Sequence, residues 1–158
     1  MTTPAIVATV IVALVLGVGG ATTTVTDWYR DLNKPSWNPP SWVFAPAWTI
    51  ILALAGWAGV LAWTHAHTPG EYWLIGGLFA VNIFLHMLWS PLFFNLQRPD
   101  WALIEIPFLW VSILSLVIGL APFSIQASLL ILPYLAWVAF AAFLNLTIVR
   151  MNPAVRNP

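Results

Sequence analysis

Four residues of this chain, Asn82, His86, Trp89 and Phe93, recur at i, i+4, i+7 and i+11 inside a long apolar run, which sets them on one face of a helix. His86 stands nine residues before the end of that run, about 14 Å deep at helical rise. An amide or imidazole at that depth is expensive in hydrocarbon and needs a partner or a role. Two roles fit: an interhelical hydrogen bond, worth about 0.6 kcal/mol in a membrane bundle, or a face turned toward a ligand. Ligation of a haem iron by His86 is a third, but nothing in the sequence pairs with it. Glu105 falls four residues into the next apolar run, about 6 Å from its start. There it can reach back to the interface or pair with Arg98; a proton relay is the competing role. His65 and His67 lie beside Glu71 between two runs, too thin a set for a metal site, so solvated loop residues are expected. Trp137 sits deep in the last run, with Ala136, Ala139, Ala141 and Ala142 around it. Small residues allow helices to close up, or they open a slot beside a large aromatic for a flat apolar ligand.

The elements that must hold these side chains follow from composition. Of 158 residues, 61% are hydrophobic and 6% charged, with mean hydropathy +0.88, whereas a soluble domain carries about 25% charged residues. The chain reads as an integral membrane protein. Net charge is zero and no basic run occurs, so the footprint of a nucleic-acid binder is missing. Cysteine is absent, which removes disulfides and thiolate chemistry. With no nucleophile, acid–base pair or metal set, redox-active tryptophan is the only chemistry on offer.

Five apolar segments are expected to span the bilayer, at 4–21, 43–63, 72–95, 101–121 and 125–149, each long enough for a hydrocarbon core about 30 Å thick. The first has no basic residue before it, unlike a secretory signal, and is read as a retained span. Short links among the later spans predict that consecutive helices are antiparallel neighbours. Pro91, Pro107 and Pro133 lie inside the last three spans and are expected to bend them and leave room between them. Gly76 with Ala80, and Gly17, Gly19, Gly20 and Ala21, have the small-residue spacing of helix contacts. All five basic residues fall on the side shared by the first loop, third loop and C-terminus, which predicts that side to be cytoplasmic and the N-terminus to be outside. Trp28, Trp42, Trp63, Trp73 and Trp101 fit an interfacial aromatic belt. The first loop, 22–42, is rich in proline and tryptophan. Proline forbids a regular helix there, so a stiff folded lid over the bundle mouth is predicted, with little flexibility to lose on closing over a ligand.

These segments carry motifs that closely resemble the TspO/MBR family of tryptophan-rich sensory proteins, to which the mitochondrial translocator protein also belongs. The matching residues are Trp28-Tyr29, Lys34-Pro35-Ser36-Trp37-Asn38-Pro39-Pro40, Pro46-Ala47-Trp48-Thr49, Trp89-Ser90-Pro91-Leu92-Phe93-Phe94, Pro133 to Phe140, and Leu144-Asn145. They cover nearly the whole chain in order. The resemblance implies a single all-α domain: a five-helix membrane bundle, commonly homodimeric, binding porphyrins, sterols or benzodiazepine-type ligands in a pocket closed by the first loop. It assigns ligand contact to Tyr29, Trp48, Asn82, His86, Trp89, Trp137 and Ala141. No obligatory cofactor or metal is implied; protoporphyrin IX or haem is the implied ligand, and a bacterial cell membrane the implied location of the protein. Lys34 or Arg30 would meet a propionate at the mouth. Members able to promote light- and oxygen-dependent porphyrin breakdown imply Trp48 and Trp137 as electron donors; a structural membrane subunit is the third reading. Position 86 carries His where relatives usually show Asn, and Glu105 stands where Asp is frequent. The run from Leu144 to Arg150 lacks the Tyr of the sterol-recognition pattern in animal members, which favours porphyrin over sterol.

Overall fold

The computed structural model describes residues 2–23 and 26–153. Among these the chain is helical throughout its regular structure, and five helices are long and apolar enough to cross a membrane. They are α1 (Thr3–Thr22), α3 (Phe44–Thr64), α4 (Pro69–Ser90), α5 (Pro99–Leu120) and α6 (Ile125–Met151), with a short α2 (Asp27–Asp31) in the first loop. The expected spans are therefore recovered with ends displaced by three residues or fewer, apart from α4, whose α-helical part stops at Ser90. Pro91 is the reason. Its ring removes the backbone donor an α-turn needs, and Pro91–Asn95 continues as one wide π-helical turn. Pro107 and Pro133, in contrast, lie within unbroken helices.

Helix ends are closed by local chemistry. Thr68 and Glu71 form a reciprocal capping box at the start of α4: the Glu71 carboxylate accepts from the amides of His67 at 2.6 Å and Thr68 at 3.0 Å. Glu71 is thereby engaged, while the side chains of His65 and His67 are exposed. Ser124 caps α6 by accepting from Ala127 N at 3.2 Å. Thr22 and Thr23 at the end of α1 turn their hydroxyls back onto helical carbonyls.

The helices form a ring in the order α1, α3, α6, α5, α4. One expectation is corrected here: α3 and α4 are joined by a short link yet touch only sparingly, because α3 packs between α1 and α6 while α4 leans on α5. The gap between them is the hollow half of the molecule. The solid half lies toward the α3–α4 and α5–α6 links, where Ala58, Ala62, Ile113, Leu116, Leu120, Ala127, Ile131 and Tyr134 are buried to 1% exposure or less. A second core sits at the opposite end under the first loop: Tyr29 and Leu32 pack on Phe93, Phe94, Ala102, Leu144 and Ile148. α1 contributes one buried residue, Val15, and presents Ile6, Val7, Val10 and Leu14 outward, as a lipid-facing helix does.

Candidate ligand cavity

Between the two cores lies a cavity of about 450 Å³, within the range of roughly 300–1,000 Å³ typical of small-molecule sites. Tyr29, Trp48, His86, Trp89, Trp137 and Ala141 line it, with Phe44, Leu52, Phe93, Leu109 and Val138 adding apolar wall. Six of the seven residues that the family resemblance assigns to ligand contact thus border one cavity, drawn from the first loop, α3, α4 and α6. Trp48 is the hub of one wall. Its ring meets His86 at 4.8 Å, Tyr134 at 6.0 Å and Trp137 at 6.2 Å between centroids, each edge to face, the geometry aromatic quadrupoles prefer. On the opposite wall Trp89 stacks on Phe93 at 5.1 Å.

The helical face read from spacing divides between two duties. Asn82 does not line the cavity; it is buried against α5 and donates its side-chain N–H to Ser112 Oγ at 2.9 Å. Of the two roles open to it, the interhelical bond is the one realised, because one helical turn carries the face from the cavity to the α4–α5 seam. His86 combines both roles: it borders the cavity, and its Nδ1 lies 2.9 Å from the Tyr134 hydroxyl of α6. Tyr134 itself, fully buried, is the partner that sequence reasoning left unassigned; its interior position three residues before Trp137 is the only signal for it.

Charged groups depart from expectation. Arg98 pairs with Asp100, at 2.8 and 2.6 Å, and not with Glu105. Glu105 does not reach the interface. It is 6% exposed, and among the described residues neither carboxyl oxygen has a partner. Lys34 is not free at the mouth either: its ammonium donates to the carbonyls of Tyr29, Arg30 and Leu32 at 2.6, 3.1 and 2.9 Å and lies 4.8 Å over the Tyr29 ring. It closes the end of α2, as cations do at helix C-termini. Arg30 is exposed and paired with Asp27.

The first loop is built as a cap. Trp28 and Tyr29 set their rings on Phe93 at 6.1 and 6.2 Å, so Trp28 anchors the loop and leaves the aromatic belt to Trp42, Trp63, Trp73 and Trp101, all exposed. Trp37 stacks on Phe143 of α6 at 5.4 Å. Burial raises the Tyr29 hydroxyl above its ordinary pKa, with Asn38 offsetting part of the effect. Asn152 after α6 holds both backbone groups of Asn33, accepting from its N–H at 2.9 Å and donating to its carbonyl at 2.8 Å. Asn145, with its amide turned to satisfy both neighbours, donates to Pro99 O at 3.1 Å and accepts from Leu103 N at 3.2 Å, and also borders the cavity. At the far side, the hydroxyls of Thr23 and Ser90 join α1 to α4 at 2.7 Å.

The model of the TspO/MBR family matches residues 5–151 of this chain. A tryptophan-rich protein TspO from Chlorobaculum tepidum is 40% identical over 90% of this chain and 93% of its own length. The translocator protein of Sus scrofa is 34% identical over 82% of this chain and 78% of its own. A tryptophan-rich sensory protein from Cereibacter sphaeroides is 32% identical, covering 84% and 82%.

Proposed function

The chain belongs to the TspO/MBR family, and from that membership we propose that it is a receptor- or transporter-like membrane protein that binds porphyrins in its intrabundle cavity, for sensing or transport. The observation that carries this is the wall of Trp48, Trp89 and Trp137 around a cavity of about 450 Å³ under a folded cap. A tetrapyrrole is flat and polarisable, and such rings gain about 0.5–1.5 kcal/mol per aromatic contact beyond area burial. The cap shares one end of the bundle with Arg30, Lys34, Arg98 and Arg150, so the mouth faces the cytoplasm of a bacterial cell by the positive-inside rule. Titration of protoporphyrin IX, haem and a sterol into the protein in lipid nanodiscs tests the reading. Sub-micromolar porphyrin affinity that falls on Trp137→Ala is expected; absence of saturable porphyrin binding rejects it.

A second reading, tryptophan-dependent porphyrin breakdown driven by light and oxygen, draws on the contact of Trp48 with Trp137 at 6.2 Å on the cavity wall. Illumination with protoporphyrin in air is the test: bleaching that slows in Trp48→Phe and Trp137→Phe supports it, and bleaching no faster than that of free porphyrin dismisses it. A homodimer is proposed through the outer face of α4, where Gly77, Ala80 and Val81 are exposed beside Trp73. A cysteine at Gly77 should then cross-link two copies in lipid, and monomeric behaviour there would rule this face out.

A further inference from the structure

Two buried polar groups on the α4–α5 seam have no hydrogen-bond partner among the described residues: the indole N–H of Trp89, and both carboxyl oxygens of Glu105. One is a donor and nothing else; the other, ionised or not, offers an acceptor oxygen. Buried groups of this kind are almost always paired, and leaving one unmade is costly. Their positions on the two helices correspond. Asn82 of α4 and Ser112 of α5 are bonded at 2.9 Å, which fixes the antiparallel register of the seam. Trp89 lies seven residues, about two turns, further along α4, and Glu105 lies seven residues back along α5. The same step along both helices returns to the same seam, so the orphan donor and the orphan acceptor occupy matching levels. Both flank the cavity: Trp89 lines it directly, and Ile106 and Leu109 beside Glu105 line it from α5.

We propose that Glu105 is a positioning residue for the ligand site, its carboxyl accepting the Trp89 indole N–H after a change of side-chain rotamer and so fixing the plane of that ring against the ligand. Among the described residues Trp89 otherwise has its ring contacts with Phe93 and Phe94 and general packing to orient it, and none of these engages the indole N–H. Arg98 is held by Asp100 and does not compete for this carboxyl. The ligand half of the inference rests on the porphyrin reading above; the hydrogen bond itself does not.

The test is the indole ¹⁵N–¹H spectrum of the full chain in lipid nanodiscs without ligand, with the Trp89 signal assigned by its loss in Trp89→Phe. A downfield, hydrogen-bonded signal is expected in the wild type, retained in Glu105→Gln, whose amide oxygen still accepts, and shifted upfield in Glu105→Leu. A free-indole position in the wild type overturns the proposal without any variant, so poor folding of Glu105→Leu does not shield it. Protoporphyrin IX titration follows: affinity should fall about tenfold in Glu105→Leu and stay within about twofold in Glu105→Gln. Equal loss in both, or none in Glu105→Leu, overturns the positioning role. Absence of porphyrin binding in the wild type would instead count against the function reading, with the indole signal still deciding the bond.

Discussion

At the scale of single residues, the cavity wall is an arrangement in which each aromatic has another at its edge. Trp137 touches Phe44, Trp48 and Phe140 at 5.9, 6.2 and 5.6 Å. Truncation in a filled core costs about 3–5 kcal/mol for Trp→Ala, but one side of Trp137 already borders open space, so Trp137→Ala should cost less stability than that. Its effect on ligand should be larger, about tenfold or more in porphyrin Kd, since stacking and area are lost together; fluorescence titration and a melting curve on the same sample separate the two. Spacing alone was enough to place Trp89 and His86 on one face, and depth alone was enough to single out Trp137. What spacing did not reveal was which neighbour each residue meets. A helical face four residues long spans two flanking helices, and so Asn82 found Ser112 while His86 found Tyr134. Glu105 was misjudged for the same reason: distance from the end of its helix gave its depth, whereas its burial depends on α4 and α6 closing over it.

Among elements, glycine shows where helices come close and where they leave space, and sequence did not separate the two. Gly17, Gly19 and Gly20 have the spacing of a contact face, yet a Cβ at any of them would meet nothing within 4 Å, and Gly19 and Gly20 line the cavity. The tight crossings are elsewhere: a Cβ on Gly56 would stand 2.8 Å from Val12 Cγ2, where α1 crosses α3, and one on Gly119 would stand 2.6 Å from Leu78 Cδ1. Leu78 is flexible and can turn aside; Val12 is β-branched and stiff. Gly56→Leu should therefore displace α1 and destabilise the bundle by about 1–3 kcal/mol, the usual cost of overpacking. Gly19→Leu should leave the melting temperature nearly unchanged and obstruct porphyrin by filling the hollow. Thermal melts paired with ligand titration read both, and a destabilised Gly19→Leu with unimpaired binding would contradict the placement. The span ends were legible because hydropathy marks them directly. The π-turn was foreshadowed by Pro91, but whether a proline interrupts the α-helical bonding depends on what packs beside it, and Pro107 and Pro133 lie within continuous helices.

Across the whole molecule, the fold joins the first loop to the end of the chain, residues 119 positions apart, and this decides how the cavity is closed. Among the described residues the cap is attached over the cavity by the rings of Trp28 and Tyr29 on Phe93 and Phe94, the stack of Trp37 on Phe143, and the paired amide bonds of Asn33 with Asn152. Lys34 contributes by holding α2 together internally, so it acts on the cap's shape and not on a ligand. Proline keeps the segment stiff between these points, and it should move as one piece. Releasing one attachment therefore frees the whole cap to open more often while leaving the cavity wall untouched. Asn152→Ala removes both bonds to Asn33, and with them the one its amide donates to Ile148 O at 2.8 Å, each worth about 0.5–1.5 kcal/mol net. It should accelerate porphyrin dissociation by about three- to tenfold with a smaller change in association, because opening precedes release and the open state is the one being enriched. Stopped-flow exchange against excess unlabelled ligand measures this, and limited proteolysis within 32–42 should quicken in parallel. If dissociation is unchanged while proteolysis rises, the cap opens but does not gate, and the route to the cavity then runs between helices, where the Thr23 to Ser90 bond is the nearest closure.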